Sequence, residues 1–286
     1  MAVTNSLAKS QQRLGLAAYL TQDAVKNQIN SIVGGKDGDK FVTAIVSAVN
    51  ANPVIKDCTN QSILSAALLG HSLKLSPSPQ LGYYYLVPFN DKEAGKVAQF
   101  QLGYKGYIQL ALRSGQYKKL NVLAIKEGEL EYFDPLNEEI KVNLMIDKWD
   151  EREKAPTVGY YAMFELVNGF RKAIYWSKGQ MENHAITYSP GYKAKKGYTF
   201  WEKNFDAMAY KTMLRQLISK WGVMSVEMQT AFDSDMAVIN EDGSKIYVEN
   251  DNEIIDAEVK EAPAAKPSKK EQAPAPAAAL FGEGAK

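Results

Sequence analysis

The sequence predicts an α+β fold: a small antiparallel sheet built from hairpins and packed with helices, an N-terminal helical part, and a disordered C-terminal tail. Three observations predict it. Residues 157–176 alternate apolar and polar on either side of Asn168-Gly169, the pair preferred in a two-residue hairpin turn. Residues 40–50 and 200–221 carry apolar groups at helical spacing. Residues 257–286 are rich in Ala, Pro, Lys and Glu and nearly lack large apolar groups, so they bury too little surface to offset chain entropy. The boundaries that follow are a flexible arm over 1–12, a core over 13–240 and a tail over 241–286, acidic at first and then Ala/Pro/Lys-rich.

Along the chain, residues 23–33 predict a short helix closed by Gly34-Gly35. Phe41, Ile45 and Val49 mark a second, with Pro53 beyond its end. A third spans 60–75, capped by Thr59 or Asn60 and stopped by Ser76-Pro77. Residues 82–89 and 96–103 read as a hairpin closed by a polar loop. In its second strand Ala98, Phe100 and Leu102 alternate with Gln99 and Gln101, which gives one apolar and one polar face. A helix over 104–114 ends at Gly115, a natural left-handed stop. Residues 121–132 read as a strand, 133–155 as an acidic, irregular excursion, and 177–187 as a helix. A Gly/Pro/Lys/Tyr loop covers 188–199, one long amphipathic helix covers 200–221, and a short helix covers 225–232.

The 286 residues suffice for one large domain or two modest ones, and 45% hydrophobic with 23% charged residues is ordinary for a soluble protein. No stretch approaches the roughly 20 apolar residues that span a bilayer. The polar start lacks a signal core, so a cytoplasmic location without membrane attachment is expected. Cys58 is the sole cysteine, which excludes an internal disulfide and a cysteine metal cluster. The net charge of +1 conceals segregation. Lys92, Lys96, Lys105, Arg113, Lys118 and Lys119 face only Glu93. Lys193, Lys195, Lys196, Lys203, Lys211, Arg215 and Lys220 face Glu202 and Asp206, and residues 227–261 are acidic. A basic body with an acidic tail can bind polyanions although the sum is near zero.

Enzyme signatures are scarce. Gly95-Lys96 is followed by Val97 and lacks the earlier glycine of a phosphate loop. There is no Gly-x-Ser-x-Gly elbow. His71 and His184, far apart in sequence, read as packed or solvated rings. Glu227, Asp233 and Asp235 could hold a divalent cation, but acidic helix ends are common and the plainer reading is preferred. No catalytic residue and no cofactor is expected.

Nucleic-acid features are stronger. Lys105, Gln109 and Arg113 recur every four residues as one polar stripe. On the long helix Phe205, Ala209, Met213 and Leu217 form the apolar run, with Lys211 and Arg215 opposite. Either stripe alone reads best as a solvated face. With the loop YSPGYKAKKGYTFW over 188–201, a groove that follows a phosphate backbone is an equal reading. In that loop lysines can meet phosphates while rings stack on unpaired bases. Lys195 and Lys196 are expected to be functional and Trp201 to be core. Of Tyr83, Tyr84 and Tyr85, alternation sends one or two inward.

These residues carry a resemblance. Leu73-Lys74-Leu75-Ser76-Pro77, Tyr85-Leu86-Val87-Pro88, the run 99–107 (QFQLGYKGY), Arg113-Ser114-Gly115-Gln116-Tyr117, Gly159-Tyr160-Tyr161-Ala162 and the run 208–215 (MAYKTMLR) stand in the order found in the RecT family of phage and prophage single-strand annealing recombinases. The sequence resembles that family over residues 60–220. It departs from it in the tail, and where Tyr198-Thr199-Phe200-Trp201 replaces a Ser-Pro-Trp type segment.

The resemblance implies binding of single-stranded DNA and of the annealed duplex, and annealing without ATP in homologous recombination. It also implies a homo-oligomeric ring or filament and a 5′-to-3′ exonuclease partner in the bacterial host cytoplasm. Carried onto this chain, it implies groove residues Lys105, Tyr107, Arg113, Lys118, Lys211 and Arg215, with Lys195 and Lys196 from the loop and Gln109 on the same stripe. Leu280-Phe281, the apolar point of the tail, is a candidate dock for the host single-strand-binding protein; a plain solubilising tail is the alternative. Two rival functions stand beside annealing: a passive single-strand coating protein, and a metal-dependent nuclease that would need Glu227, Asp233 and Asp235.

Overall fold

The computed structural model describes residues 14–247, apart from 92, 93, 198, 241 and 243. The expected arm over 1–12 and, beyond Tyr247, the expected tail with Leu280-Phe281 lie outside the described residues.

The N-terminal part is helical. It comprises α1 (Leu16–Leu20), α2 (Asp23–Val33), α3 (Gly38–Ala51), a 3-10 turn (Pro53–Asp57) and α4 (Asn60–Ser72). Val25 and Ile29 of α2 and Phe41, Ile45 and Val49 of α3 share one buried cluster with Ile63 and Leu64 of α4. Thr59 is the cap of α4, its Oγ1 accepting from the Ser62 amide. The helix stops at Ser72, three residues before its predicted end. Lys74 turns left-handed at φ 54°. The Leu75 amide donates to the Gly70 carbonyl at 2.9 Å and the Lys74 amide to the His71 carbonyl at 2.7 Å, which is a Schellman closure.

The first sheet forms around the predicted hairpin, β1 (Tyr84–Asp91) and β2 (Gly95–Leu102), paired from Tyr84↔Leu102 to Asp91↔Gly95. α4 docks on it at two points: the Ser62 hydroxyl accepts from the Ala98 amide at 2.8 Å, and the Thr59 amide donates to the Lys96 carbonyl at 2.9 Å. Of the polar face predicted for β2, Gln99 is enclosed and Gln101 stays half-buried. A late strand, β8 (Ala237–Ile239), pairs with β2 through Gln99↔Val238, and β9 (Lys245–Tyr247) pairs with β8, giving the order β1-β2-β8-β9. Gln99 is therefore buried, its amide donating to the Met236 carbonyl. Val97 packs with Phe89 and Val238. The same pairing extends this sheet to Tyr247.

α5 (Tyr104–Arg113) follows, and Gly115 ends it at φ 69° as expected. The second sheet has the order β3-β6-β7. Its first strand, β3 (Tyr117–Lys126), begins and ends earlier than the predicted 121–132, because Gly128 turns at φ 83° into a separate hairpin. That hairpin is β4 (Leu130–Asp134) and β5 (Glu139–Val142), and α6 (Trp149–Lys154) comes after it. The stretch expected to be irregular is thus ordered, and a fully buried carboxylate pins it. Glu129 accepts from the Lys126 amide at 2.8 Å, the Met145 amide at 3.1 Å and Arg152 Nε at 2.6 Å. Burial opposes its ionisation, but Arg152 and the two amides outweigh it and hold the carboxyl below its usual range.

β6 (Thr157–Leu166) and β7 (Arg171–Ser177) form the predicted hairpin, but its turn has three residues rather than two. The Gly169 amide donates to the Leu166 carbonyl at 3.0 Å and the Leu166 amide to the Phe170 carbonyl at 2.8 Å. Gly169 takes the left-handed position at φ 88° that a bulged turn of this kind needs.

α7 (Lys178–Tyr188) starts on a Ser177–Gln180 capping box, and α8 (Pro190–Lys193) occupies part of the expected loop. The predicted long helix is two: α9 (Phe200–Lys203) and α10 (Phe205–Trp221). Asn204 breaks it at φ −147°, ψ 72°, and its side chain caps α10 by accepting from the Ala207 amide at 3.2 Å. Met213, Leu214 and Leu217 of α10 share one core with Tyr117, Tyr160, Ala162 and Phe164 of the second sheet. α5 packs on another flank of α10, and α11 (Val226–Ser234) packs on α5 and β2. α10 therefore packs on the second sheet, and α5 and α11 link it to the first. Among the described residues no helix is long and apolar enough to cross a membrane.

Candidate nucleic-acid interface

Lys211 and Arg215 lie one turn apart on α10, as their spacing predicts. They are not on a freely solvated face. Lys211 is buried and the Arg215 side chain is 41% exposed, because α11 turns the chain back and sets Asp235 against both. The Asp235 side chain is fully buried and accepts four hydrogen bonds. Oδ1 takes Lys211 Nζ at 2.9 Å and the Leu102 amide of β2 at 2.9 Å. Oδ2 takes the Tyr107 hydroxyl at 2.8 Å and Arg215 Nη1 at 2.8 Å. Arg215 Nη1 also donates to the Tyr107 oxygen at 3.1 Å. Phe232 closes the cluster, with the Tyr107 ring edge-on at 4.8 Å and the guanidinium 5.6 Å from its centroid. Burial first, and then the adjacent carboxylate, hold the Tyr107 phenol protonated well above its usual range.

This arrangement has an electrostatic consequence. Buried charge is tolerated when paired and fully hydrogen-bonded. One carboxylate here neutralises one of two cations, so one positive charge remains. It emerges through Arg215, whose Nε and Nη2 make no hydrogen bond among the described residues. A guanidinium fixed at one nitrogen with donors left on its outer edge is suited to a phosphate oxygen.

The other expected residues divide into three groups. Tyr107 joins Lys211 and Arg215 and is wholly buried. Lys105 is exposed at the start of α5 and makes no ion pair among the described residues; it lies over Gly82 beside the Tyr85 hydroxyl. The Tyr85 ring is 6.1 Å from that of Phe200, which connects this flank to the basic loop. Gln109 is half-buried on the same helix. Lys195 and Lys196 are exposed where the loop turns, with Lys195 left-handed at φ 51° and the Lys196 amide closing on the Gly191 carbonyl at 3.1 Å.

Arg113 and Lys118 stand apart. Arg113 closes the end of α4, donating to the Leu73 and Lys74 carbonyls at 2.6 and 3.1 Å. Lys118 pairs with Glu165 at 2.6 Å. As expected, Trp201 is core, set among the rings of His184, Tyr192 and Phe205. The exposed ring of the described loop is Tyr188. Tyr84 is the member of its tyrosine run that goes fully inward.

Two features escape sequence reading. Asp235 as the hub has no local signal; it sits among acidic residues after a short helix. Lys178 stands 3.3 Å from the centroid of Phe205 and donates to the Tyr160 hydroxyl at 3.1 Å, which in turn donates to Asp206 at 2.6 Å. Desolvation lowers its pKa. His71 packs against Phe41, and burial among Trp176, Tyr188 and Trp201 lowers the pKa of His184. Of the three acidic candidates, Asp235 is committed to its cations, while Glu227 and Asp233 are exposed on α11. Among the described residues no three histidine, cysteine, aspartate or glutamate side chains gather into a metal-binding cluster.

The RecT family model matches residues 39–254. The uncharacterised protein YqaK of Bacillus subtilis (strain 168) is 39% identical over 268 residues, which cover 94% of this chain and 85% of that protein. Protein RecT of Escherichia coli (strain K12) is 28% identical over 223 residues, covering 76% of this chain and 79% of that one.

Proposed function

The chain belongs to the RecT family, and on that premise we propose that it binds single-stranded DNA through its phosphates and anneals it to a complementary strand during homologous recombination, without ATP. The observation that carries this reading is the Asp235 cluster, which holds two cations on one buried carboxylate and turns the surplus charge outward at Arg215. Lys105, whose flank the Tyr85–Phe200 contact connects to the loop of Lys195 and Lys196, would extend the basic surface with those lysines and Gln109, while Arg113 and Lys118, already held by the α4 end and by Glu165, would stand at its margins. Tyr107 and Lys211 act from behind, by fixing Arg215.

Contacts of this kind grip phosphates and leave base edges free. Pairing then supplies the sequence specificity, and its own free energy drives the reaction. Several copies in a ring or filament would hold a strand in register for search. A 5′-to-3′ exonuclease would supply the strand, and the host single-strand-binding protein would meet the tail through Leu280-Phe281. A place in the bacterial cytoplasm, on phage or prophage DNA, follows from that work.

The test is fluorescence-detected pairing of two complementary oligonucleotides without nucleotide, one strand being bound before the other is added. Pairing faster than in protein-free controls is expected. Tight binding with slowed pairing would replace annealing with passive coating. Strand cleavage on adding magnesium would favour a nuclease, although that reading asks for a carboxylate from Asp235, which already holds two cations.

A further inference from the structure

The β3–β6 pair runs from Tyr117↔Leu166 at one end to Lys126↔Thr157 at the other, nine steps or about 30 Å apart at the usual strand rise. Each end carries an exposed apolar patch. At the turn end, Val167, Phe170, Trp221 and Val223 are exposed around the buried Tyr117–Phe164 ring pair. The Tyr117 hydroxyl donates to the Val223 carbonyl, and the Val167 amide donates to the Gln116 carbonyl. Trp221 lies over Lys172 at 3.7 Å. At the opposite end Leu144, Ile146 and Trp149 are exposed on the segment that Glu129 pins down.

The rims differ in sign. Arg171 and Lys220 border the first patch; around the second, Asp147, Asp150 and Glu153 outnumber Lys154, and all of these are exposed and make no ion pair among the described residues. Exposed apolar groups that include a tryptophan, rimmed by unspent charge, mark an interaction surface.

We propose that these two ends are the two halves of a single contact between copies of this chain, the Trp221 patch of one copy seating on the Trp149 patch of the next. The charge pattern selects this occupant. Arg171 and Lys220 find Asp147 and Asp150 across the contact, whereas pairing either end with itself would oppose like charges. Because the two surfaces are different and lie at opposite ends of one sheet, the contact is heterologous and repeats, closing into a ring or running on as a helix. The inference builds on the reading that several copies line one strand: a monomeric wild type sinks both, whereas an oligomeric wild type whose variants keep its mass sinks this contact alone.

Val167 is 60% and Ile146 67% exposed, so each accepts substitution without disturbing the core. Mass is measured by light scattering at micromolar protein, alone and with a thymidine homopolymer. The wild type is expected at multiples of 31.7 kDa. Val167→Asp and Ile146→Asp are each expected as monomers, and their equimolar mixture as a dimer that grows no further, since one intact half of each kind remains.

A wild type that stays monomeric in both states overturns the proposal. So does a single variant that keeps the wild-type mass or stops at a dimer by itself, and so does a mixture that stays monomeric. Should either aspartate lower Tm, the charges give the answer. Lys220→Glu and Asp150→Lys are each expected to reduce the mass and, combined in one chain, to restore it; failure of that restoration overturns the proposal equally.

Discussion

Asp235 and the two cations it holds show how burial separates residues that look equivalent along a helix. From spacing alone, Lys211→Ala and Arg215→Ala are both expected to weaken DNA binding with the fold intact. The structure divides them. Arg215 is part-exposed with donors to spare, so Arg215→Ala is expected to keep the fold and weaken binding to single-stranded DNA about tenfold, the worth of one charge-assisted hydrogen bond. Lys211 is buried, and its loss disturbs the cluster itself. Asp235→Asn leaves two cations without their anion and is expected to cost about 3–5 kcal/mol, as when one partner of a buried pair is removed. Urea unfolding checks the stability change, and fluorescence anisotropy with a labelled oligonucleotide checks the binding. An Asp235→Asn protein as stable as the wild type would mean that the carboxylate is not the keystone of the site.

At the scale of elements, strong local signals were legible. The bounds of α2 match their pattern, Gly115 ends α5, and Asn168-Gly169 turns the β6–β7 hairpin. Short or long-range features were not. β8 has three residues, too few to display a period, yet its pairing with β2 accompanies the burial of Gln99 on the predicted polar face. β4 and β5 are short too, at five and four residues, and the buried Glu129 that fixes their neighbourhood looks like one acid among many. The break between α9 and α10 was hidden because apolar spacing continues across it; only the cap at Asn204 reveals it. Asn204→Ala removes that cap and is expected to cost about 1 kcal/mol, read as a lowered Tm, with single-strand affinity little changed. An unchanged Tm would show that packing alone sets the start of α10.

For the whole molecule, the near-zero net charge is the misleading number and the distribution is the informative one. A surface that works through phosphates should lose affinity linearly in log–log salt plots, with a slope of about −0.7 per contacted phosphate on single strands. The variant Lys195→Ala/Lys196→Ala is expected to flatten that slope by about 1.4 if each lysine meets one phosphate, without altering thermal stability, since both side chains are exposed. A slope identical to the wild type would remove the loop from the interface.

The site was only partly legible for the reason that governs β8: its hub arrives from far along the chain. Asp235 bonds the Leu102 amide across 133 positions, and it follows Lys211 by 24 and Arg215 by 20. The ribosome therefore delivers the two cations before their anion. At ordinary elongation rates that interval lasts roughly 1–5 s. Through it, Lys211 and Arg215 lack the carboxylate that holds them both in the folded chain. The cluster is therefore complete only once residue 235 is present, and a chain cut ahead of it keeps both cations without the carboxylate that directs them.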